Sequence, residues 1–169
     1  MPSSPTDLGR VELLVGRPQV GTREVVERAV LDERLGFVGD SWIDRPSRRT
    51  ADGGPHPGMQ LTLANSRVVD LIAGGDRSRW PLAGDQLYVD LDLSAANLPP
   101  GTRLAVGTAI VEVTDVPHTG CAKFADRFGV DAVRFVSTPA ARLANLRGIN
   151  ARVVTGGEVV TGDVVRVLR

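Results

Sequence analysis

The sequence predicts a mainly β, α+β domain: a β-barrel-like array of about seven strands with two or three short helices. Three observations carry that prediction. The 169 residues include 24 valines against seven aromatic side chains, and β-branched residues suit pleated, half-buried surfaces. Nineteen glycines and 11 prolines supply breakers for many tight connections. Glycine-centred pairs at Gly107-Thr108, Gly156-Gly157 and Gly162-Asp163 read as the connections of short strands.

Residues 1–8 are Ser/Pro-rich and read as a flexible arm before a single domain over 9–169. Val11 to Val15 forms a short buried strand that Pro18 ends. Glu24 to Leu31 fits either a helix, through Val25, Val26, Ala29 and Val30, or a bent strand. Gly36-Phe37-Val38-Gly39-Asp40 turns the chain, with Asp40 as turn-maker. Asp44 to Gly58 has no hydrophobic periodicity, and a loop of that length is functional or disordered. Gln60 to Ala64 alternates as a strand, with Leu61 and Leu63 on one face and Thr62 on the other. Asn65 or Ser66 then caps a helix carrying Val68, Val69, Leu71 and Ile72, which Gly74-Gly75 ends. A strand runs from Leu87 to Leu91, and Pro99-Pro100-Gly101 turns into a hairpin of Arg103–Val106 with Ala109–Thr114. Two further hairpins close the chain, Ala151–Thr155 with Glu158–Val160 and then Val164–Leu168. Asp85, Asp90 and Asp92 read as strand-edge and turn residues.

Twenty basic and 20 acidic side chains cancel. A duplex-binding protein carries a basic excess, so no nucleic-acid partner is expected. The start of the chain lacks a basic segment followed by an apolar stretch, and no apolar run approaches the roughly 18–20 residues of a membrane span. No membrane partner and a cytoplasmic location are therefore expected. A single cysteine excludes an intramolecular disulfide, and one Cys with two His builds no ordinary structural zinc cage. There is no Walker loop and no Gly-x-Gly-x-x-Gly between a strand and a helix. The cations are 19 Arg and one Lys, Lys123. Arginine's planar fork suits phosphate and carboxylate, although codon bias gives the same count.

Reactive residue types converge only over Pro117-His118-Thr119-Gly120-Cys121-Ala122-Lys123. A strand ends near Asp115, Pro117 stops it, and a helix starts near Cys121. A thiol there meets unpaired N–H groups and the positive end of the helix dipole, with His118 and Lys123 close by. A bland alternative uses the same residues: Cys121, Phe124, Ala125 and Phe128 form one helical stripe, which makes the cysteine a core position. His56 could join His118 and Cys121 as metal ligands, a weaker arrangement because it sits in the long loop.

The chain resembles the MOSC family, named after the C-terminal domain of molybdenum-cofactor sulfurase. Four stretches carry the likeness in order. They are Gly36-Phe37-Val38-Gly39-Asp40, Gln60-Leu61-Thr62-Leu63, Gly84-Asp85-Gln86-Leu87 leading through Leu98-Pro99-Pro100-Gly101 to Pro117–Lys123, and Arg147-Gly148 through Gly162-Asp163. The resemblance implies a twisted β-barrel, with Cys121 as the catalytic residue and the ligand of molybdenum in a molybdopterin cofactor. By residue match, Thr62 and Gln86 would face the pterin. His118, Thr119 and Lys123 would flank the metal and phosphate side, and Arg147 would be a further phosphate partner. It implies reduction of N-hydroxylated small molecules, with electrons from a separate donor protein. The family's other chemistry is sulfur carriage, in which Cys121 would hold a persulfide received from a cysteine desulfurase. Pyridoxal phosphate is not expected, since a Schiff base needs a lysine and Lys123 is the only one. An interaction domain with a core cysteine is the third reading.

Overall fold

The computed structural model describes residues 3–169. The strands are β1 (Leu8–Gly16), β2 (Glu24–Val26), β3 (Arg28–Asp32), β4 (Gly36–Phe37), β5 (Leu61–Asn65), β6 (Leu87–Asp90), β7 (Arg103–Val106), β8 (Ala109–Val113), β9 (Ile149–Thr155), β10 (Gly157–Val160) and β11 (Val164–Leu168). Four short helices accompany them: α1 (Ser66–Ile72), α2 (Ala122–Phe128), α3 (Val130–Ser137) and α4 (Pro139–Leu143), with 3-10 turns at Ser41–Asp44, Pro57–Met59 and Arg77–Ala83. Neighbours run β11-β7-β8-β9-β5-β6-β1, and a β1–β11 pairing closes seven strands into a barrel. β5 and β6 are parallel, while the other pairings within the barrel are antiparallel. β2 extends the sheet from β1, and β10-β3-β4 form a second small sheet.

Two apolar layers result. Inside the barrel, Val11, Leu14, Leu61, Leu63, Leu87, Val89, Leu104 and Val111 form one cluster. Outside it, Leu13, Val15, Ala64, Val69, Trp80, Tyr88, Phe124 and Val136 form another beneath the helices. Along β1 the inward positions are Val11 and Leu14 and the outward ones Leu13 and Val15. A plain period of two cannot give that order; the register shift between Val11 and Leu13 supplies the extra residue. β5 and β6 need no shift: Leu61, Leu63, Leu87 and Val89 point in, and Ala64 and Tyr88 point out under the helices. Both faces are covered, so all of β5 is buried.

Most strands lie where the sequence places them. Asn65 caps α1, its side chain accepting from the N–H groups of Arg67 and Val68, and the hairpin of β7 and β8 turns at Gly107-Thr108. Glu24 to Leu31 is neither a helix nor one bent strand. It divides at Glu27, so that β2 pairs with β1 and β3 with β10.

The two tail hairpins are a correction. β9 pairs with β8 along Ala151–Thr155 and with β5 along Ile149–Ala151, and β10 pairs with β3 rather than with β9. β10 crosses beside the β7–β8 turn instead, where Thr108 N donates to the Glu158 carbonyl and Glu158 N donates to Thr108 Oγ1. β11 then closes the barrel between β1 and β7.

The long loop folds on itself: Ser47 N donates to the Gly53 and Gly54 carbonyls, and Thr50 Oγ1 to those of Ser47 and Gly54. Within the predicted arm, Asp92 N donates to the Pro5 carbonyl and Val167 N to that of Asp7, and Met1 and Pro2 lie outside the described residues. No helix among the described residues is long and apolar enough to cross a membrane.

Candidate functional site

β8 ends at Val113, and residues 114–121 connect it to α2. Cys121 is the N-cap of that helix, with extended backbone, and its carbonyl accepts from Phe124 N and Ala125 N. The apolar stripe of α2 therefore begins at Phe124, which is buried, and Cys121 is a free, exposed thiol. That overturns the core-cysteine alternative.

Cys121 opens on a cavity of about 260 Å³ that also meets Arg17, Arg23, Arg45, Lys123, Arg127 and Arg147. Two of these cations are neutralised. Arg17 makes a fork with Asp40, Nε to Oδ2 at 2.7 Å and Nη2 to Oδ1 at 3.0 Å, and Arg147 Nη1 meets Asp85 Oδ2 at 2.7 Å. Arg23, Arg45, Lys123 and Arg127 have no carboxylate partner among the described residues; the three arginines bond only to Thr22 O, Ser41 Oγ and Leu82 O respectively. The Nε atoms of Arg23 and Arg45 are buried without a partner. Burial first, then the charges of Arg127 and Arg17, depress the Arg23 pKa, and burial followed by Arg17 depresses that of Arg45. Crowded cations of this kind gain from an anion that fills the space between them.

A second cavity, about 1010 Å³, lies on the other side of the same turn. Leu98, Val113, Val136 and Ile149 line it, together with His118, Thr119 and Gly120, and Arg147 borders both cavities. Asp85, His118 and Arg147 form a trio at their border. Asp85 is fully buried; its Oδ1 lies 2.6 Å from His118 Nε2, and its Oδ2 holds Arg147. Arg147 also donates to the Ala83 carbonyl, and its guanidinium lies over the Phe124 ring at 4.7 Å. Burial alone would raise the Asp85 pKa, but Arg147 and then His118 hold its carboxyl well below the usual range. Burial lowers the His118 pKa despite Asp85, so the ring is neutral near pH 7 and Nε2–H donates to the carboxylate.

The structure thus brings Cys121, Lys123 and Arg147 to one cavity and His118, Thr119 and Arg147 to the other. Thr62 and Gln86 join neither. Gln86 is fully buried; its Oε1 accepts from Thr62 N at 2.9 Å, while its Nε2 has no hydrogen-bond partner among the described residues. His56 caps its own 3-10 turn through Nδ1, and no group of three His, Cys, Asp or Glu side chains that could hold a metal exists among the described residues. Asp85 is a correction: it is the buried hub of the trio rather than an edge residue. Asp40 does make its turn, accepting from Trp42 N, and also anchors Arg17. The arginines of the small cavity come from four separated segments, so no local pattern announces them. The repeated Gly-Asp at 39–40 and 84–85 is the signal that was present.

A cysteine sulfur, which is a soft ligand, beside cations that make no ion pair among the described residues is a donor set that fits an anionic, molybdenum-bearing group.

No curated protein matches the chain by sequence. Solved structures resemble it in fold. The YuaD protein from Bacillus subtilis (APC1665) matches with a TM-score of 0.66 and 18% identity over 95% of both chains. YiiM from Escherichia coli matches with a TM-score of 0.60 and 19% identity, over 95% of this chain and 70% of that one. YiiM from Geobacillus stearothermophilus gives a TM-score of 0.61 and 15% identity, over 96% and 75%. The model of the MOSC domain matches residues 60–166, a span that runs from β5 through the Cys121 turn and Arg147 into β11. The chain belongs to the MOSC domain family.

Proposed function

We propose that this protein binds a molybdopterin-type molybdenum cofactor through Cys121 and the arginine-lined cavity, and that it acts in the cytoplasm on N-hydroxylated small molecules. The observation that carries the reading is an exposed, unbonded thiol opening on a cavity where four cations make no ion pair among the described residues. Cys121 Sγ would be the soft ligand of the metal, and Arg23, Arg45, Lys123 and Arg127 would hold the anionic phosphate end. Bound there, the cofactor supplies two-electron chemistry at the metal, with electrons from a separate redox protein. Asp40 holds Arg17 and Asp85 holds Arg147, so two side chains of the cavity wall are fixed before anything binds. The exposed thiol also favours a second reading, a persulfide on Cys121 received from a cysteine desulfurase, because sulfur exchange needs only an accessible thiolate.

Reconstitution separates the two. Metal-free protein is mixed with isolated molybdenum cofactor, desalted, and assayed for retained pterin by fluorescence after oxidation. The wild type is expected to retain pterin and the Arg23→Ala/Arg45→Ala variant to lose most of it. Absence of retained pterin, with a sulfur-sized mass increase on Cys121 after incubation with a desulfurase, would replace the cofactor reading by the sulfur-carrier one.

A further inference from the structure

We infer that the 1010 Å³ cavity seats the organic reactant, a neutral molecule with an apolar body and one O–H or N–H donor that His118 Nδ1 accepts. The word reactant rests on the cofactor reading above; the binding itself does not.

Three features of the cavity select that class. Its walls are largely aliphatic, from Leu98, Val113, Val136 and Ile149. Its charges cancel, since Arg147 is neutralised by Asp85, and the exposed Asp115 and Arg142 carry opposite signs. The uncompensated cations lie in the neighbouring cavity, so the two spaces attract different ligands, an anion in one and a neutral apolar body in the other.

The third feature is the orientation of His118. Its Nε2 is committed to Asp85. Its Cδ2 edge abuts Gly148, where an added Cβ would lie 3.0 Å from that atom. His118 lines the cavity, and its Nδ1 makes no hydrogen bond among the described residues. A neutral ring whose Nε2–H already donates has an acceptor at Nδ1. In the same wall Asn150 Oδ1 is buried without a hydrogen-bond partner, while its Nδ2 donates to the Val116 carbonyl. A buried acceptor left unpaired is destabilising, and a ligand donor relieves it.

The test uses the metal-free full chain with benzaldoxime, a neutral aromatic N–OH compound, and its O-methyl ether, which lacks the donor. Binding is titrated by ligand-observed NMR. The oxime is expected to bind, with the ether about twofold to tenfold weaker, the worth of one neutral hydrogen bond. His118→Phe should weaken the oxime to the level of the ether. Ala95→Trp, at an exposed residue of the cavity lining, should abolish binding of both, and inorganic phosphate should not compete. No binding at millimolar oxime, equal binding of oxime and ether, or displacement by phosphate would overturn the assignment. None of these outcomes depends on cofactor retention. A protein that retains pterin but binds no oxime sinks this inference alone, whereas oxime binding without pterin retention keeps the cavity assignment and sinks the cofactor reading.

Discussion

Asp85 shows how one carboxylate organises two neighbours. Its two oxygens face His118 and Arg147, and all three side chains are largely withdrawn from water. Such a group is tolerable only when paired, because an isolated buried charge would have to neutralise. Asp85→Asn should leave the Arg147 guanidinium buried beside a neutral amide and lower stability by roughly 3–5 kcal/mol, the usual loss on breaking a buried pair. Urea unfolding measures this, and a loss below about 1 kcal/mol would mean that the trio contributes little to folding.

His118 makes a second prediction, in pH. Burial lowers its pKa in the folded protein, below the ordinary value of about 6.5 that holds in the unfolded chain. The unfolded state therefore binds the extra proton first, and stability falls as pH drops through about 6.5 towards the folded value. His118→Gln should flatten that part of the profile. Urea midpoints taken at about pH 7.5 and about pH 5.5 would show a smaller difference in the variant than in the wild type. An unchanged difference would mean that His118 is not held neutral by the fold. The adjacency of His118, Cys121 and Lys123 singles out this turn in the sequence. Their division between two cavities was not legible there, because it depends on Arg147, which arrives from a segment distant in sequence.

At the scale of elements, the end of β5 and the start of α1 illustrate the economy of the fold. Asn65 caps the helix through Oδ1, and its Nδ2 donates to the Leu91 carbonyl at 2.7 Å, tying the helix start to the end of β6. Asn65→Ala should cost about 0.5–2 kcal/mol from the cap, with the largest rise in amide exchange across α1. Uniform exchange over α1 and the barrel strands would refute that localisation. The cap, the β7–β8 hairpin and most strand positions follow from local chemistry, and so they were readable. The pairing of β10 was not, because Gly156-Gly157 carries the composition of a hairpin while the partner of β10 is β3, a strand distant in sequence. α3 and α4 were missed for a related reason. Gly129 and Thr138-Pro139 look like breakers, but Gly129 with positive φ simply joins α2 to α3, and Thr138 Oγ1 caps α4 with Pro139 in its first turn.

For the molecule as a whole, the closed barrel and its helices bring residues from distant segments to one cavity. Arg17 follows β1, Arg23 precedes β2, Arg45 follows a 3-10 turn, and Cys121, Lys123 and Arg127 lie at or in α2. Barrel closure and the MOSC family were readable, from strand density and from ordered short motifs that end on the cysteine. The cation cluster was not, since its members converge only in three dimensions. The central claim is that Cys121 holds a metal in this cavity, and its most direct test is the molybdenum-to-chain ratio of protein purified from a molybdenum-replete host. Because the thiol is exposed and unbonded, Cys121→Ser should leave the thermal midpoint nearly unchanged while molybdenum falls from near stoichiometric to background. Equal molybdenum in variant and wild type, or none in either, would contradict the claim.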